Sequence, residues 1–181
     1  ISHACPWANR CAIFRNLKGL QSAISVSVVD HFTGDEGWTF GENPEEISRD
    51  DLFGYTRMHQ IYTRSKPDYT GRVTVPVRWD KKRGEIVSNE SSEIIRMFNS
   101  AFATVTDDAQ DFYPTALRET IDAINERIYN TLNNGVYRCG FATTQAAYEE
   151  SLDPLFDTLD WLDAILSDQA YLAGPSITEA D

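Results

Sequence analysis

The sequence predicts two halves of different class, an α/β half followed by an all-helical half. Three observations predict this. Residues 6–98 mix β-rich runs such as Ile24-Ser25-Val26-Ser27-Val28-Val29 with helical periods such as Ile94, Ile95, Met97 and Phe98. From Pro114 onward only helical periods occur: Leu117, Ile121, Ile124, Ile128 and Leu132, then Tyr148, Leu152, Leu155, Phe156, Leu159, Leu162 and Ile165. Between them lies a polar connector, acidic at Asp107, Asp108 and Asp111. The expected division is residues 1–99, a linker over 100–113, and a helical region over 114–181.

The elements follow in order. Pro6 suits the first position of a helix, because its missing N–H would be unpaired there anyway. Trp7, Ala8, Cys11, Ala12 and Phe14 keep the helical period to Lys18, and Gly19 sits where a helix closes. Ala23 to Val29 alternates and then turns β-branched, which predicts a strand. Residues 30–50, with Gly34, Gly37, Gly41 and Pro44, keep no period and predict a long loop. Leu52, Tyr55, Met58, Ile61 and Tyr62 predict an amphipathic helix ended by Pro67 and Gly71. Val73 to Trp79 is β-rich but holds Pro76, which removes a ladder donor and belongs at an edge, bulge or sharp turn. A cis bond at Val75-Pro76 is open to it, although trans is the commoner form. Lys81-Lys82-Arg83-Gly84 predicts a hairpin turn, and Glu85-Ile86-Val87-Ser88 the return strand. Asn89-Glu90-Ser91-Ser92 opens the next helix. In the second half, Asn133-Asn134-Gly135 is expected to stop one long helix, and Gly174-Pro175 to close the other.

Composition narrows the partners. The 181 residues carry 16 basic and 28 acidic side chains, a formal charge of −12. That field argues against nucleic acid or an anionic membrane surface, and it leaves any anionic ligand to be held by local donors. No apolar run approaches the ~20 residues that cross a bilayer, and no secretory leader is evident. Three cysteines (5, 11 and 139) form no disulfide framework and fit a reducing, cytoplasmic compartment. The chain starts at Ile1, and Thr178-Glu179-Ala180-Asp181 reads as a helix start with nothing after it, so an excerpt of a longer protein is expected.

Cys5-Pro6-Trp7-Ala8 carries the strongest chemical signal. It sets a thiol at the N-cap of a helix, facing backbone N–H groups and the positive end of the dipole, where thiolate is favoured. A dithiol redox motif would carry its second cysteine at position 8, which is Ala8. Cys5 is therefore read as a reactive single thiol, although a lone cysteine is more often structural. Cys11 lies on the apolar face and reads as structural, whereas Cys139, beside Arg138 and Gly140, is left undecided between a structural and a reactive role, the structural one being commoner. His3, His31 and His59 show no metal-ligand spacing, so no metal is expected. Glu90 and Ser91, at a strand-to-helix junction, suit either a plain cap or a ligand end carrying both carboxylate and ammonium. Trp38, in Gly37-Trp38-Thr39-Phe40, either packs or covers a ligand. Tyr137 either packs or presents its phenol.

Taken together, these segments resemble the glutathionyl-hydroquinone reductases, the Xi class of glutathione transferases. The resemblance covers essentially the whole chain. It rests on Cys5-Pro6-Trp7-Ala8, Leu17-Lys18-Gly19-Leu20, Gly37-Trp38-Thr39-Phe40, Gly71-Arg72-Val73-Thr74-Val75-Pro76-Val77, Trp79-Asp80-Lys81-Lys82, Ser88-Asn89-Glu90-Ser91-Ser92 and Asn133-Asn134-Gly135-Val136-Tyr137. The family carries histidine where this chain has Asn9, and it continues beyond Asp181.

The resemblance implies a thioredoxin-like N-terminal domain that binds glutathione, a helical C-terminal domain, an aromatic glutathionyl-hydroquinone substrate in the cleft between them, and a homodimer. Cys5 would be the nucleophile and Tyr137 would face the quinone oxygen. Trp38 would cover the glutathione. Val75, before a cis Pro76, would pair its backbone with the peptide, and Glu90 and Ser91 would hold its γ-glutamyl end. With no cysteine at Ala8, a second glutathione must resolve the mixed disulfide. Two rival readings are an Omega-like thiol transferase or dehydroascorbate reductase, and a non-catalytic binding module of the same fold.

Overall fold

The first helix begins where proline requires it. In the computed structural model, which describes residues 1–41, 47–106 and 108–181, α1 spans Pro6–Leu17 with Cys5 as its extended N-cap. Pro44 and Asp107, used above, lie outside the described residues. Ala8, Cys11 and Phe14 face inward. Gly19 closes the helix at φ +62°. Its N–H donates to the Asn16 carbonyl (3.1 Å), and the Leu20 N–H donates to that of Arg15 (2.9 Å). These two bonds form a Schellman closure, which calls for a left-handed residue after the cap. The buried Lys18 ammonium pairs with the Asp108 carboxylate at 3.1 Å and donates to the Gln110 carbonyl, tying the connector to the end of α1.

Two predicted elements change. Ala23 to Val29 forms no strand: Ala23 and Ile24 still belong to the turn after α1, their N–H groups donating to the Leu20 carbonyl (3.1 and 2.9 Å), and the bridge the stretch makes is a parallel one between Ser2 and Val29. On one side Ile1 pairs alongside it, its amino nitrogen donating to the Ser27 carbonyl (3.0 Å) and the Val29 N–H to the Ile1 carbonyl (2.8 Å); on the other Ser48 meets Val28, its N–H donating to the Val28 carbonyl (2.7 Å) and its hydroxyl accepting the Val28 N–H (2.7 Å). Elsewhere the stretch lines a cavity of about 130 Å³ shared with Val77 to Trp79, where a ladder would need a neighbouring strand. The helix predicted from Leu52 begins instead at Met58, and α2 spans Met58–Ser65. The Asp50 carboxylate accepts the N–H groups of Leu52, Phe53 and Tyr55, all within 3.1 Å, so these donors serve a side chain rather than a helical ladder.

The hairpin forms as read, though shorter. Strands β1 (Arg78–Asp80) and β2 (Glu85–Ser88) pair antiparallel, with a bulge between Arg78 and Trp79. Residues 73–77 stay outside the ladder, and the Val75-Pro76 peptide is cis. At the turn, the Asp80 carboxylate accepts N–H groups from Arg83 and Lys82, which hold its carboxyl below the usual carboxylate range. Helix α3 (Ser91–Ser100) follows and buries Ser91, Ile94, Ile95 and Phe98. One core cluster joins Cys5, Ala8, Val29, Met58, Ile61, Tyr62, Val75 and Trp79.

The chain divides into two compact units, Ile1–Gln110 and Asp111–Asp181. The second unit is helical: a 3₁₀ turn at Thr115–Leu117, α4 (Arg118–Ile128), a π turn at Tyr129–Asn133, α5 (Asn134–Gly140) and α6 (Gln145–Asp168). Asn133-Asn134-Gly135 does not stop the helix as expected. The backbone continues through it in helical conformation, and Tyr137 stands on a helix rather than after a turn. The Asn134 side-chain amide donates to the Tyr129 carbonyl (2.9 Å), and buried Gly135 packs against Leu155 of α6. The other long helix ends at Asp168, six residues before Gly174, and tolerates Pro154 in its exposed interior. At Thr178 the expected cap forms reciprocally. The Asp181 carboxylate accepts the Thr178 N–H (2.8 Å), and the Thr178 hydroxyl accepts the Ala180 N–H (3.3 Å). Ile121, Ile124, Leu172, Ala173 and Ala180 form this unit's core. Among the described residues, no helix is long and apolar enough to cross a membrane.

Candidate functional site

Cys5 is buried, 8% exposed, and its thiol donates to the Val75 carbonyl at 3.3 Å. This refines the expectation that the thiol faces helix N–H groups. Its side chain makes no capping bond, and the N–H groups of Ala8 and Asn9 already donate to the Cys5 carbonyl at 3.1 and 3.0 Å. A neutral thiol needs an acceptor, and the Val75 carbonyl supplies one. Ala8 is fully buried in the same core cluster. The three cysteines are free. Cys11 is 4% exposed, and burial pushes its thiol up to about 12, with Arg10 opposing that shift. Cys139 belongs to the second unit, its sulfur 3.9 Å from the Tyr148 carbonyl.

Trp38 packs, half-buried, against the cluster that holds Cys5 and Val75. Its carbonyl accepts the Met58 N–H at 2.9 Å, and Thr39 bridges Arg57, so the long loop is anchored to the start of α2 at this point. Cys5, Trp38 and Val75 thus converge from three stretches of sequence. Glu90 is the exposed N-cap of α3 without a side-chain capping bond. Its N–H donates to the Ser88 hydroxyl at 3.0 Å, and that hydroxyl donates to Glu93 at 2.7 Å. Ser91 is 4% exposed and is joined to α1 twice. Its hydroxyl accepts from Arg10 Nε (2.9 Å) and Nη2 (2.6 Å), and its carbonyl lies 3.7 Å from the Cys11 sulfur.

Arg10 was not among the residues read from sequence. Its guanidinium lies 5.0 Å from the Trp7 ring centroid, and the Trp7-to-Arg10 spacing of three on a helix is the signal that anticipates this. In a chain of net charge −12 it sets a cation behind the α3 N-terminus. Tyr137 belongs to the second unit, where its ring stacks on Phe141 at 6.3 Å between centroids. The 130 Å³ cavity described above does not include Cys5, Trp38, Val75, Glu90 or Ser91 in its lining. No group of three or more metal-binding side chains is assembled among the described residues.

Comparison with known proteins bears on this geometry. Residues 4–101 match the family described as glutathione S-transferase, N-terminal domain. The chain is 54% identical over 178 residues to the glutathionyl-hydroquinone reductase PcpF of Sphingobium chlorophenolicum, covering 98% of this chain and 56% of that protein. It matches the glutathione-bound structure of YqjG, a glutathione transferase homologue from Escherichia coli K-12, with a TM-score of 0.96 and 50% identity, over 99% of this chain and 59% of that one. It matches glutathione transferase Xi 1 from Trametes versicolor with a TM-score of 0.96 and 52% identity, over 100% of this chain and 64% of that one. The chain spans about half the length of the curated relatives it matches.

Proposed function

Because the chain belongs to the glutathione S-transferase family, with a thioredoxin-like N-terminal domain and a helical C-terminal region, we propose that it acts as a glutathione-dependent reductase of glutathionyl-hydroquinones. The observation that carries this reading is a single buried thiol at the start of α1, hydrogen-bonded to Val75 and without a cysteine at position 8. The likeness to a glutathionyl-hydroquinone reductase supports the choice of substrate.

In this proposal the Cys5 thiolate attacks the sulfur of a glutathionyl-hydroquinone. A sulfur–sulfur bond forms and the ring carbon–sulfur bond breaks. The electron pair goes to the ring carbon, which takes a proton and leaves as hydroquinone. The Tyr137 phenol is assigned that proton, as a general acid on the leaving ring. A second glutathione, as thiolate, attacks the mixed disulfide. Oxidised glutathione leaves and Cys5 thiolate is restored. Each cycle oxidises two thiol-level sulfurs to one disulfide and reduces one carbon–sulfur bond.

The remaining assignments concern binding. Trp38 covers the glutathione, the Val75 backbone pairs with its cysteinyl peptide, Glu90 meets its ammonium and Ser91 its carboxylate. Residues 1–99 form the glutathione-binding domain, 114–181 the first part of the helical one, and two copies associate as a homodimer. The fit to a carboxylate rests on the Ser91 hydroxyl beside Arg10 at a helix N-terminus.

The test is to incubate the protein with a synthetic glutathionyl-hydroquinone and glutathione, following both products by chromatography. Hydroquinone and oxidised glutathione should appear one for one, and Cys5→Ser should lose turnover by orders of magnitude. Full activity in Cys5→Ser would sink the reading. Turnover confined to dehydroascorbate or simple mixed disulfides would favour the Omega-like alternative, and no turnover at all would favour the binding module.

A further inference from the structure

We infer that Arg10 is a positioning residue for the carboxylate end of the site, fixing the Ser91 hydroxyl as a hydrogen-bond donor, an assignment that rests on the glutathione reading above and deepens it. A serine hydroxyl has one hydrogen to give and two lone pairs with which to accept. Ser91 Oγ accepts from Arg10 Nε at 2.9 Å and from Nη2 at 2.6 Å. Arginine holds its protons at any ordinary pH, so these roles cannot reverse. Both lone pairs are therefore committed, and the hydroxyl can engage a further group only by donating. Among the described residues none takes that hydrogen.

The hydroxyl is also held in place. Ser91 is 4% exposed and opens the ten-residue helix α3, whose N-terminus favours an anion. The guanidinium that grips it is stacked on Trp7, three residues earlier on α1. A free serine hydroxyl at a helix start rotates between donating and accepting. With Arg10 beneath it, Ser91 becomes a one-way donor with a positive charge behind it. A carboxylate, which only accepts, complements that arrangement. Lysine cannot replace this fork, because a point charge on a flexible stem does not occupy both lone pairs in fixed geometry.

The experiment measures binding of two ligands to the purified protein by titration calorimetry. One is glutathione. The other is N-acetyl-cysteinyl-glycine, which keeps the thiol and the glycine end but lacks the γ-glutamyl carboxylate and ammonium. Arg10→Gln should weaken glutathione about tenfold, equivalent to about 1.4 kcal/mol, and the acetylated dipeptide less than about twofold. Arg10→Lys should weaken glutathione about threefold, and Arg10→Gln added to Ser91→Ala should cost less than about twofold more. Equal weakening of both ligands, or losses at Arg10 and Ser91 that multiply independently, would overturn the assignment. Should Arg10→Gln not fold, Arg10→Lys decides: selective loss of glutathione affinity supports the assignment, and wild-type affinity overturns it. Wild-type protein that binds no glutathione overturns the functional reading and this one together, whereas the other adverse outcomes overturn this one alone.

Discussion

Gly135→Ala is expected to stabilise the protein by about 1 kcal/mol. Gly135 lies in helical backbone at the second position of α5, with no left-handed φ. A Cβ built there meets Leu155 Cδ1 at 3.4 Å, its Cβ at 3.6 Å and its Cγ at 3.8 Å. These are contact distances, so a methyl group fits with little adjustment of Leu155. Alanine gains about 0.8–1 kcal/mol over glycine in helix propensity. The buried methyl adds up to about 0.8 kcal/mol, of which the tight Cδ1 contact returns a part. A net gain near 1 kcal/mol raises Tm by about 2–4 °C for a chain of this size. Urea titration and thermal melting followed by circular dichroism measure it. If Gly135 were instead the left-handed stop that its Asn-Asn-Gly context suggests, alanine would destabilise by more than about 1 kcal/mol. Such a loss would refute the helical placement of α5.

Three further outcomes are expected. Burial raises the Cys11 thiol to about 12, so iodoacetamide at pH 8 should label Cys5 well before Cys11; mass spectrometry finding equal native labelling would contradict the placement. The sign for stability follows: the folded value lies above the unfolded 9.0, so the contribution is complete below pH 9 and is lost as pH rises toward 12. Urea midpoints should therefore fall between pH 8 and pH 10.5, and less steeply in Cys11→Ala. Separately, Asp50→Ala removes the acceptor for three backbone N–H groups and should cost about 2–3 kcal/mol in urea unfolding, with Asp50→Asn intermediate.

Features decided by local chemistry were legible in the sequence. Pro6 at the start of α1, Gly19 at its end and Gly84 in the hairpin each follow from what one residue's backbone can adopt. Features decided at a distance were not. Ala23 to Val29 alternates like a strand, but a strand needs a continuous partner, and this stretch meets only isolated contacts from Ile1, Ser2 and Ser48 among the described residues. Leu52 and Tyr55 keep a helical spacing, yet the Asp50 carboxylate takes their backbone donors. Asn133-Asn134-Gly135 reads as a stop because turns favour those residues, while Leu155, twenty positions on, explains the glycine by packing. In the candidate site, Cys5, Trp38 and Val75 were readable as separate segments, and the fold brings them into one cluster. Arg10 was missed because an arginine on an amphipathic helix ordinarily reads as solvated. Its role appears only when Ser91, eighty-one positions later, arrives beside it.

The π turn at Tyr129–Asn133 makes the direction of Tyr137 a matter of phase. The Asn134 N–H reaches back to the Tyr129 carbonyl, five residues away, so this turn holds one residue more than an α-helical turn. Each residue advances an α-helix by about 100°. Everything on α5 is thereby rotated by roughly that angle from where an uninterrupted continuation of α4 would carry it. The bearing of the Tyr137–Phe141 pair is therefore written into a register shift upstream of both rings. A chain could keep every aromatic residue of α5 and still aim them elsewhere, simply by losing one residue between 129 and 133.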